Sequence, residues 1–294
     1  MYDTICMSGG GVKGLSFIGT IEKLIKIKYI NISNIKKWVG TSVGAIIAYL
    51  FSLNYSIEEI KEFIINFDFS KLVPTIELEN ILLNHGIDNG EKIKLILTYF
   101  LKEKYNIEDV TFKKLYNMTN KKLVVIGTNF TKAIEEVFSY DTTPDMSVIT
   151  AVRISLSIPI IFTPIFYNNN YYIDGGISNN FPINYCNINT TLGIYIKQTS
   201  HNELENILSI PVGCLSIISD VITTKDCNNY DIIVVQNDVP EMINFEISLE
   251  TKNKIFNLGV VAVNTYIKNK QIKVEQKNIN TVNASTQTDD IKLE

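Results

Sequence analysis

A glycine-rich loop near the start of the chain is suited to holding a negative charge. It comprises Gly9, Gly10, Gly11, Val12, Lys13 and Gly14. A short apolar run precedes it and apolar residues at helical spacing follow, so the order predicts strand, turn and helix. Adjacent glycines let backbone N–H groups converge at a helix N-terminus. The loop can therefore bind an anion, or an oxyanion that develops during a reaction.

A serine flanked by glycines follows the second predicted strand. The segment comprises Gly40, Thr41, Ser42, Val43 and Gly44. G-x-S-x-G between a strand and a helix is the pattern of a nucleophile elbow, a sharp turn that exposes the serine oxygen above the sheet. The N-terminus of the following helix favours negative charge beside it. The pattern predicts Ser42 as a nucleophile.

A carboxylate at the end of a later strand is the candidate base. Asp174 closes the apolar run 171–173 and precedes Gly175 and Gly176. Asp-Gly-Gly is also an ordinary turn sequence. However, a carboxylate with nothing bulky after it can approach a serine on a neighbouring strand and accept its proton. The spacing thus favours Asp174 as the general base for Ser42.

The rarest ionisable residues narrow the chemistry further. The chain has two histidines, and neither fits the Ser…Asp…His order of common esterases: His85 precedes any suitable acid, and His201 lies in a polar turn. A serine activated by a carboxylate is the better hypothesis. Arg153 is the only arginine among 27 basic residues. Its planar donors suggest a brace under the site or a contact to a lipid headgroup, with a surface arginine as the alternative.

Nucleotide binding is the main competing interpretation of the glycine loop. The loop matches G-x-G-x-x-G, but the dinucleotide pattern also expects an acid about 20 residues later. Residues 31–37 contain no acid, and Leu15 stands where a phosphate-binding P-loop needs Lys. A nucleotide-binding protein and a catalytically silent lipid-binding module stay open as alternatives.

Taken together, the motifs resemble the patatin-like phospholipase family. The glycine loop, the elbow, residues 153–164 and the Asp174 loop with 179–182 occur in the family's order. The resemblance implies a three-layer α/β/α fold with a mostly parallel central sheet. It also implies a Ser–Asp dyad and an oxyanion hole in the glycine loop, formed by the backbone of Gly10, Gly11 and Val12. The implied reaction is cofactor-free and metal-free hydrolysis of fatty-acyl esters through an acyl-serine. Members commonly carry Asp where this chain has Ser8, but the oxyanion donors are backbone groups.

The chain divides into three predicted parts. Residues 5–197 form the catalytic domain, residues 198–270 an α/β extension on the same core, and residues 271–294 a polar, disordered tail. Within the first part, residues 57–118 are predicted to be mostly helical. Asp145 is predicted to cap a helix that ends near Ser157.

Composition limits the partners. The net charge of −4 argues against nucleic acid. There is no apolar run of 18 residues and no basic signal region at the start. We therefore expect a cytoplasmic protein, at most peripheral to membranes, that acts on membrane or micellar lipid. The four cysteines lack metal-ligand spacing and are expected to be reduced, buried thiols.

The tail contains one further motif. Residues 282–289 resemble Thr-Gln-Thr peptides that bind dynein light chain by adding a strand to its sheet. A plain polar tail is the alternative.

Overall fold

The computed structural model describes residues 1–72, 83–198, 213–214, 217, 229–239 and 247–289; of these, the side chains of Gln198 and of residues 273–289 are not described. The strands are β1 (Thr4–Met7), β2 (Lys37–Thr41), β3 (Gly86–Asp88), β4 (Lys122–Asn129), β5 (Ile134–Ser139), β6 (Ile160–Phe162), β7 (Ile165–Tyr167), β8 (Asn170–Asp174), β9 (Thr191–Gln198) and β10 (Asp231–Asn237). The helices are α1 (Leu15–Lys26), α2 (Val43–Ser52), α3 (Ile57–Asn66), α4 (Glu91–Tyr105), α5 (Phe112–Thr119), α6 (Val148–Ser155) and α7 (Leu249–Asp289).

A mixed sheet forms the centre of the described structure. Its order is β10-β9-β1-β2-β4-β8-β7, and β5 pairs with the other edge of β4. Strands β10, β9, β1, β2 and β4 are parallel, whereas β5, β7 and β8 run antiparallel to their neighbours. All four residues of β1 are buried, as expected for a parallel strand covered on both faces.

Helical segments cover both faces of this sheet. On one face, the apolar stripe of α1 is buried in the main core, and α2 packs on β1, β2 and β4. On the other face, Phe181 and Ile183 beside a short 3-10 helix, Ile183–Tyr185, pack on the outward side chains of β1, β2 and β4. The predicted α/β/α fold with a mostly parallel sheet is confirmed.

Parallel register brings the two glycine motifs together. Met7 at the end of β1 pairs with Gly40 near the end of β2. The loops after the two strands therefore leave the sheet at the same edge, as carboxyl ends of parallel strands do.

The extension after residue 198 is described in part. Helix α7 packs against α1 so closely that a Cβ added to Gly259 would lie 2.0 Å from the Ser16 carbonyl oxygen. Ile255 and Val263 on α7 are buried in the same core as β9 and β10. His201 lies outside the described residues.

Three local expectations differ from the structure. β3 interrupts the region expected to be helical and pairs with β6. Ser147, not Asp145, caps α6, because its side chain accepts the Thr150 N–H. Helix α7 continues to Asp289, where a disordered tail was expected from residue 271; this stretch contains no Gly or Pro that would end a helix. The dynein light chain motif falls on this helical backbone and stays a prediction.

The cysteines and the apolar character of the helices were also predicted from the sequence. Cys6 is buried and Cys186 partly buried, whereas Cys214 is exposed; all three are free thiols, and Cys227 lies outside the described residues. Within the described part of the chain, no helix is long and apolar enough to cross a bilayer.

Candidate active site

Ser8 fixes the start of the glycine loop to the neighbouring strand. Its side chain is fully buried; Oγ accepts the Ile196 N–H at 3.0 Å and donates to the Gly9 carbonyl at 2.9 Å. Its own N–H donates to the Ile194 carbonyl. Ser8 thus holds the start of the loop on β9.

Within the loop, three backbone donors are left open. The N–H groups of Gly10, Gly11 and Val12 make no hydrogen bond to any other described residue. Gly11 has a left-handed φ of 56°, which suits glycine, and it is partly exposed. Gly11 and Val12 belong to the first turn of the 3-10 helix Gly11–Gly14 that leads into α1, and Gly10 is its N-cap. Open N–H groups at the start of a helix can hold an anion.

The other loop positions have structural contacts instead. The Gly9 N–H donates to the Asn180 carbonyl at 3.0 Å, and the Lys13 N–H donates to the Gly10 carbonyl. A Cβ on Gly14 would lie 2.3 Å from a Val43 methyl group, so this glycine lets the loop approach the elbow. The six residues predicted for the oxyanion hole therefore divide into open donors and positions that shape the loop.

The elbow has the sharp backbone turn that the sequence predicts. Ser42 sits between β2 and α2 with φ 53° and ψ −123°, a conformation that costs a non-glycine residue about 1–3 kcal/mol. A Cβ on Gly40 would lie 2.3 Å from the Gly44 carbonyl carbon, and a Cβ on Gly44 would lie 2.5 Å from the Ser8 carbonyl oxygen. Both flanking positions thus require glycine.

Ser42 and Asp174 are in direct contact. The Ser42 Oγ donates to Asp174 Oδ2 at 2.8 Å, and each residue is only 5% exposed. The other carboxylate oxygen, Oδ1, accepts the Gly176 N–H at 2.6 Å. Gly175 allows the close approach, because a Cβ there would lie 2.2 Å from the Ile126 carbonyl oxygen on β4.

The environment of Asp174 favours a weak acid. Burial raises its pKa to about 7, although the Gly176 N–H, the Ser42 hydroxyl and the Arg153 charge each act to lower it. A carboxylate with this pKa is ionised above neutral pH and can accept a proton from a nearby hydroxyl. The geometry and the pKa together suit a general base.

Arg153 braces the site from behind. It lies on α6 and is 4% exposed; Nη1 donates to Ser157 Oγ at 2.8 Å and Nη2 to the Asn89 carbonyl at 2.9 Å. Burial lowers its pKa to about 10, so it stays charged near neutral pH. The Ser157 carbonyl in turn accepts the Asp174 N–H at 2.8 Å. Arg153 is therefore not a surface arginine, and its bonds to Ser157 and Asn89 fit the predicted brace, which stays a prediction.

Ser155 is a site residue that the sequence did not single out. It is fully buried at the end of α6, and its Oγ accepts the Ser42 backbone N–H at 2.9 Å. Asn180 lies in the segment 179–182 of the family resemblance, and its backbone carbonyl accepts the Gly9 N–H. The sequence feature that could have pointed to Ser155 is its position two residues after the single arginine.

The described histidine does not reach this site. His85 is exposed just before β3, and the Ser42 hydroxyl donates to Asp174 instead.

The chain is similar in sequence to known proteins over most of its length. The family model of the patatin-like phospholipase matches residues 5–186. A protein of Invertebrate iridescent virus 6, described as a probable lipid hydrolase, is 39% identical over 88% of this chain and 86% of its own. An uncharacterized protein of Acanthamoeba polyphaga mimivirus is 28% identical over 90% of this chain and 93% of its own.

Solved structures share the fold. VipD from Legionella pneumophila superposes with a TM-score of 0.66 at 18% identity, covering 91% of this chain and 67% of that one. From the extent of the family match and the identity of the viral relative, this chain belongs to the patatin-like phospholipase family.

Proposed function

We propose that the protein is a serine lipid acyl hydrolase that cleaves fatty-acyl esters through a Ser42–Asp174 dyad. The observation that supports it best is the 2.8 Å hydrogen bond from Ser42 Oγ to a buried carboxylate. Family membership and a relative described as a probable lipid hydrolase support lipid as the substrate class.

In the first half of the reaction, the ionised Asp174 accepts the Ser42 proton as Oγ attacks the ester carbonyl carbon. The resulting oxyanion accepts hydrogen bonds from the open N–H groups of Gly10, Gly11 and Val12. One such donor contributes on the order of 10²–10³ in rate in other serine hydrolases. The intermediate then expels the alcohol, which takes the proton from Asp174, and an acyl-serine remains.

In the second half, water replaces the alcohol. Asp174 accepts a proton from water as the oxygen attacks the acyl-serine carbonyl, and the same donors hold the second oxyanion. Collapse releases the fatty acid and returns the proton to Ser42 Oγ. No step needs a metal or an organic cofactor.

Labelling of the nucleophile separates this proposal from the alternatives. A fluorophosphonate probe should modify the native protein at Ser42, and Ser42→Ala should lose both the label and hydrolysis of a short-chain p-nitrophenyl ester by at least about 10³-fold. Ser33→Ala, an exposed serine at the other end of the sheet, is the matched control and should keep both.

Two results would contradict the dyad. A native protein that resists the probe and does not cleave the ester would be a lipid-binding module instead. A Ser42→Ala protein with full activity would remove Ser42 from the chemistry. A rise in melting temperature with NAD, ATP or GTP would favour nucleotide binding.

A further inference from the structure

Three exposed aromatic side chains lie together at the edge of the sheet that carries the candidate site. Phe130 is 65% exposed, Phe166 60% and Tyr171 49%. We call these three residues the aromatic row. Single exposed apolar residues are ordinary in proteins, but a contiguous exposed group marks an interaction surface.

Strand pairing makes the row continuous. Phe166 on β7 pairs with Tyr171 on β8, and their ring centroids are 4.9 Å apart. Phe130 follows β4, and its N–H donates to the Tyr171 carbonyl at 2.8 Å. Phe166 and Tyr171 therefore contact each other on paired strands, and Phe130 begins the turn after β4 on the segment hydrogen-bonded to Tyr171.

The row lies close to the dyad. Tyr171 is three residues before Asp174 on the same strand, which corresponds to about 10 Å along β8. Phe130 leaves the carboxyl end of β4, and Ser42 leaves the carboxyl end of the parallel neighbour β2. A flat surface in contact with the aromatic row would therefore also lie near the carboxyl ends of β2 and β4, where Ser42 is located.

The charges around the row suit a lipid surface. Lys132, in the turn after Phe130, is exposed and has no salt bridge to a described residue. The neighbouring acids are turned towards the protein: Glu136 accepts hydrogen bonds from Asn129 and Tyr172. Glu135 accepts one from the Tyr185 hydroxyl. Lys132 is therefore an exposed positive charge beside the row, in a chain whose net charge is −4.

We propose that Phe130, Phe166 and Tyr171 dock the protein on the surface of a phospholipid bilayer and hold Ser42 at the level of the ester groups. Aromatic rings with a polar rim favour the interface between headgroups and acyl chains. The role rests on the proposed function, since docking matters for activity only if the dyad cleaves lipid esters.

Vesicle binding tests the surface independently of catalysis. In a Ser42→Ala background, which leaves the lipid intact, the variant Phe130→Ser/Phe166→Ser/Tyr171→Ser should bind vesicles of phosphatidylcholine and phosphatidylglycerol at least about tenfold more weakly. The control Leu249→Ser/Val261→Ser removes two apolar side chains on α7 that are 57% and 58% exposed, and should bind normally.

A tryptophan variant tests the surface without removing an aromatic side chain, so the result does not depend on a variant that could fail to fold. The native Trp38 is fully buried, so Phe166→Trp adds a reporter at the row. Its emission should shift to shorter wavelength when vesicles are added, and binding should be kept because Trp also suits the interface. An emission spectrum unchanged by vesicles, or equal binding by the serine variant, would overturn the proposal.

Activity with Ser42 intact completes the test. The serine variant should hydrolyse a soluble short-chain ester at the native rate and vesicle phospholipid at least about tenfold more slowly. If the native protein cleaves neither substrate, the proposed function fails, while the binding result still decides the surface. If the substitutions instead convert a dimer into a monomer and leave vesicle binding unchanged, the row pairs two copies of the chain and the lipid proposal is wrong.

Discussion

Two aspartates at opposite ends of the sheet have opposite environments. Asp174, at the carboxyl ends of the parallel strands, is buried, and burial raises its pKa to about 7. Partial burial also acts to raise the pKa of Asp231, at the start of β10. The hydrogen bonds from the Tyr2 hydroxyl and the Lys270 ammonium outweigh this effect and lower the pKa below its ordinary value. The same side chain is thus kept as a weak acid at one end and as a strong one at the other.

The surroundings explain the difference. Lys270 Nζ lies 3.0 Å from Asp231 Oδ2, and it also donates to the hydroxyls of Tyr29 and Tyr266. These groups join α7 to the strands, and they serve as hydrogen-bond partners for one another. Around Asp174, by contrast, the backbone of Ser42 is strained and the glycine-loop donors stay open. One polar cluster stabilises the fold; the other carries features that cost stability and suit a reaction.

Replacing Asp174, the proposed base, should give the largest effect. We expect Asp174→Asn to lower ester hydrolysis by at least about 10³-fold, because the amide cannot accept the Ser42 proton. It should also raise the melting temperature at pH 8 by about 2 °C or more, because no charge is then buried. Steady-state kinetics and calorimetry check both. An inactive but less stable variant would contradict the assigned environment.

The pH dependence of native and variant proteins sharpens this result. The folded pKa of Asp174, about 7, lies above its ordinary value of 3.8. Its stabilising contribution is therefore complete below that ordinary value and is lost as pH rises through 7. Activity follows the reverse course: kcat/KM should fall about tenfold per unit below pH 7. The stability gain of Asp174→Asn should shrink on acidification, and a constant gain would oppose this assignment.

The Ser155 hydroxyl should have an intermediate effect at the same end of the sheet. Ser155→Ala removes the acceptor of the Ser42 N–H, so the strained elbow loses one support. We expect kcat to fall roughly tenfold with KM little changed, since the group positions Ser42 and is not placed to touch substrate. Ser155→Thr keeps the hydroxyl and should restore part of kcat. A lower melting temperature with unchanged kcat would make Ser155 purely structural.

The two clusters also differ in how far the sequence revealed them. The glycine loop, Ser42 and Asp174 belong to short local motifs, so their placement followed from strand and turn patterns. Ser155 and Asn180 act through single backbone contacts between distant segments, which no local pattern encodes. The Asp231–Lys270 pair joins residues 39 positions apart on different elements, and only the register of α7 against β10 brings them together. The placement of residues in local motifs was therefore predictable, whereas the contacts set by helix packing were not.

The smallest effect should come from the stabilising cluster. Lys270→Met removes the ammonium from a pair that is about two-fifths exposed, so we expect a loss of about 1 kcal/mol at neutral pH. Activity per folded molecule should not change. Since the pKa of Asp231 is lowered, its contribution is present above its ordinary value and is lost as pH falls through the folded one. Denaturant unfolding should therefore show the loss at pH 7 and a smaller one in acid.

Lys268→Met, on the same helix and without a salt bridge in the described residues, is the control. A change in kcat from Lys270→Met would mean that the two ends of the sheet are coupled, and the division between a stabilising end and a reactive end would no longer hold.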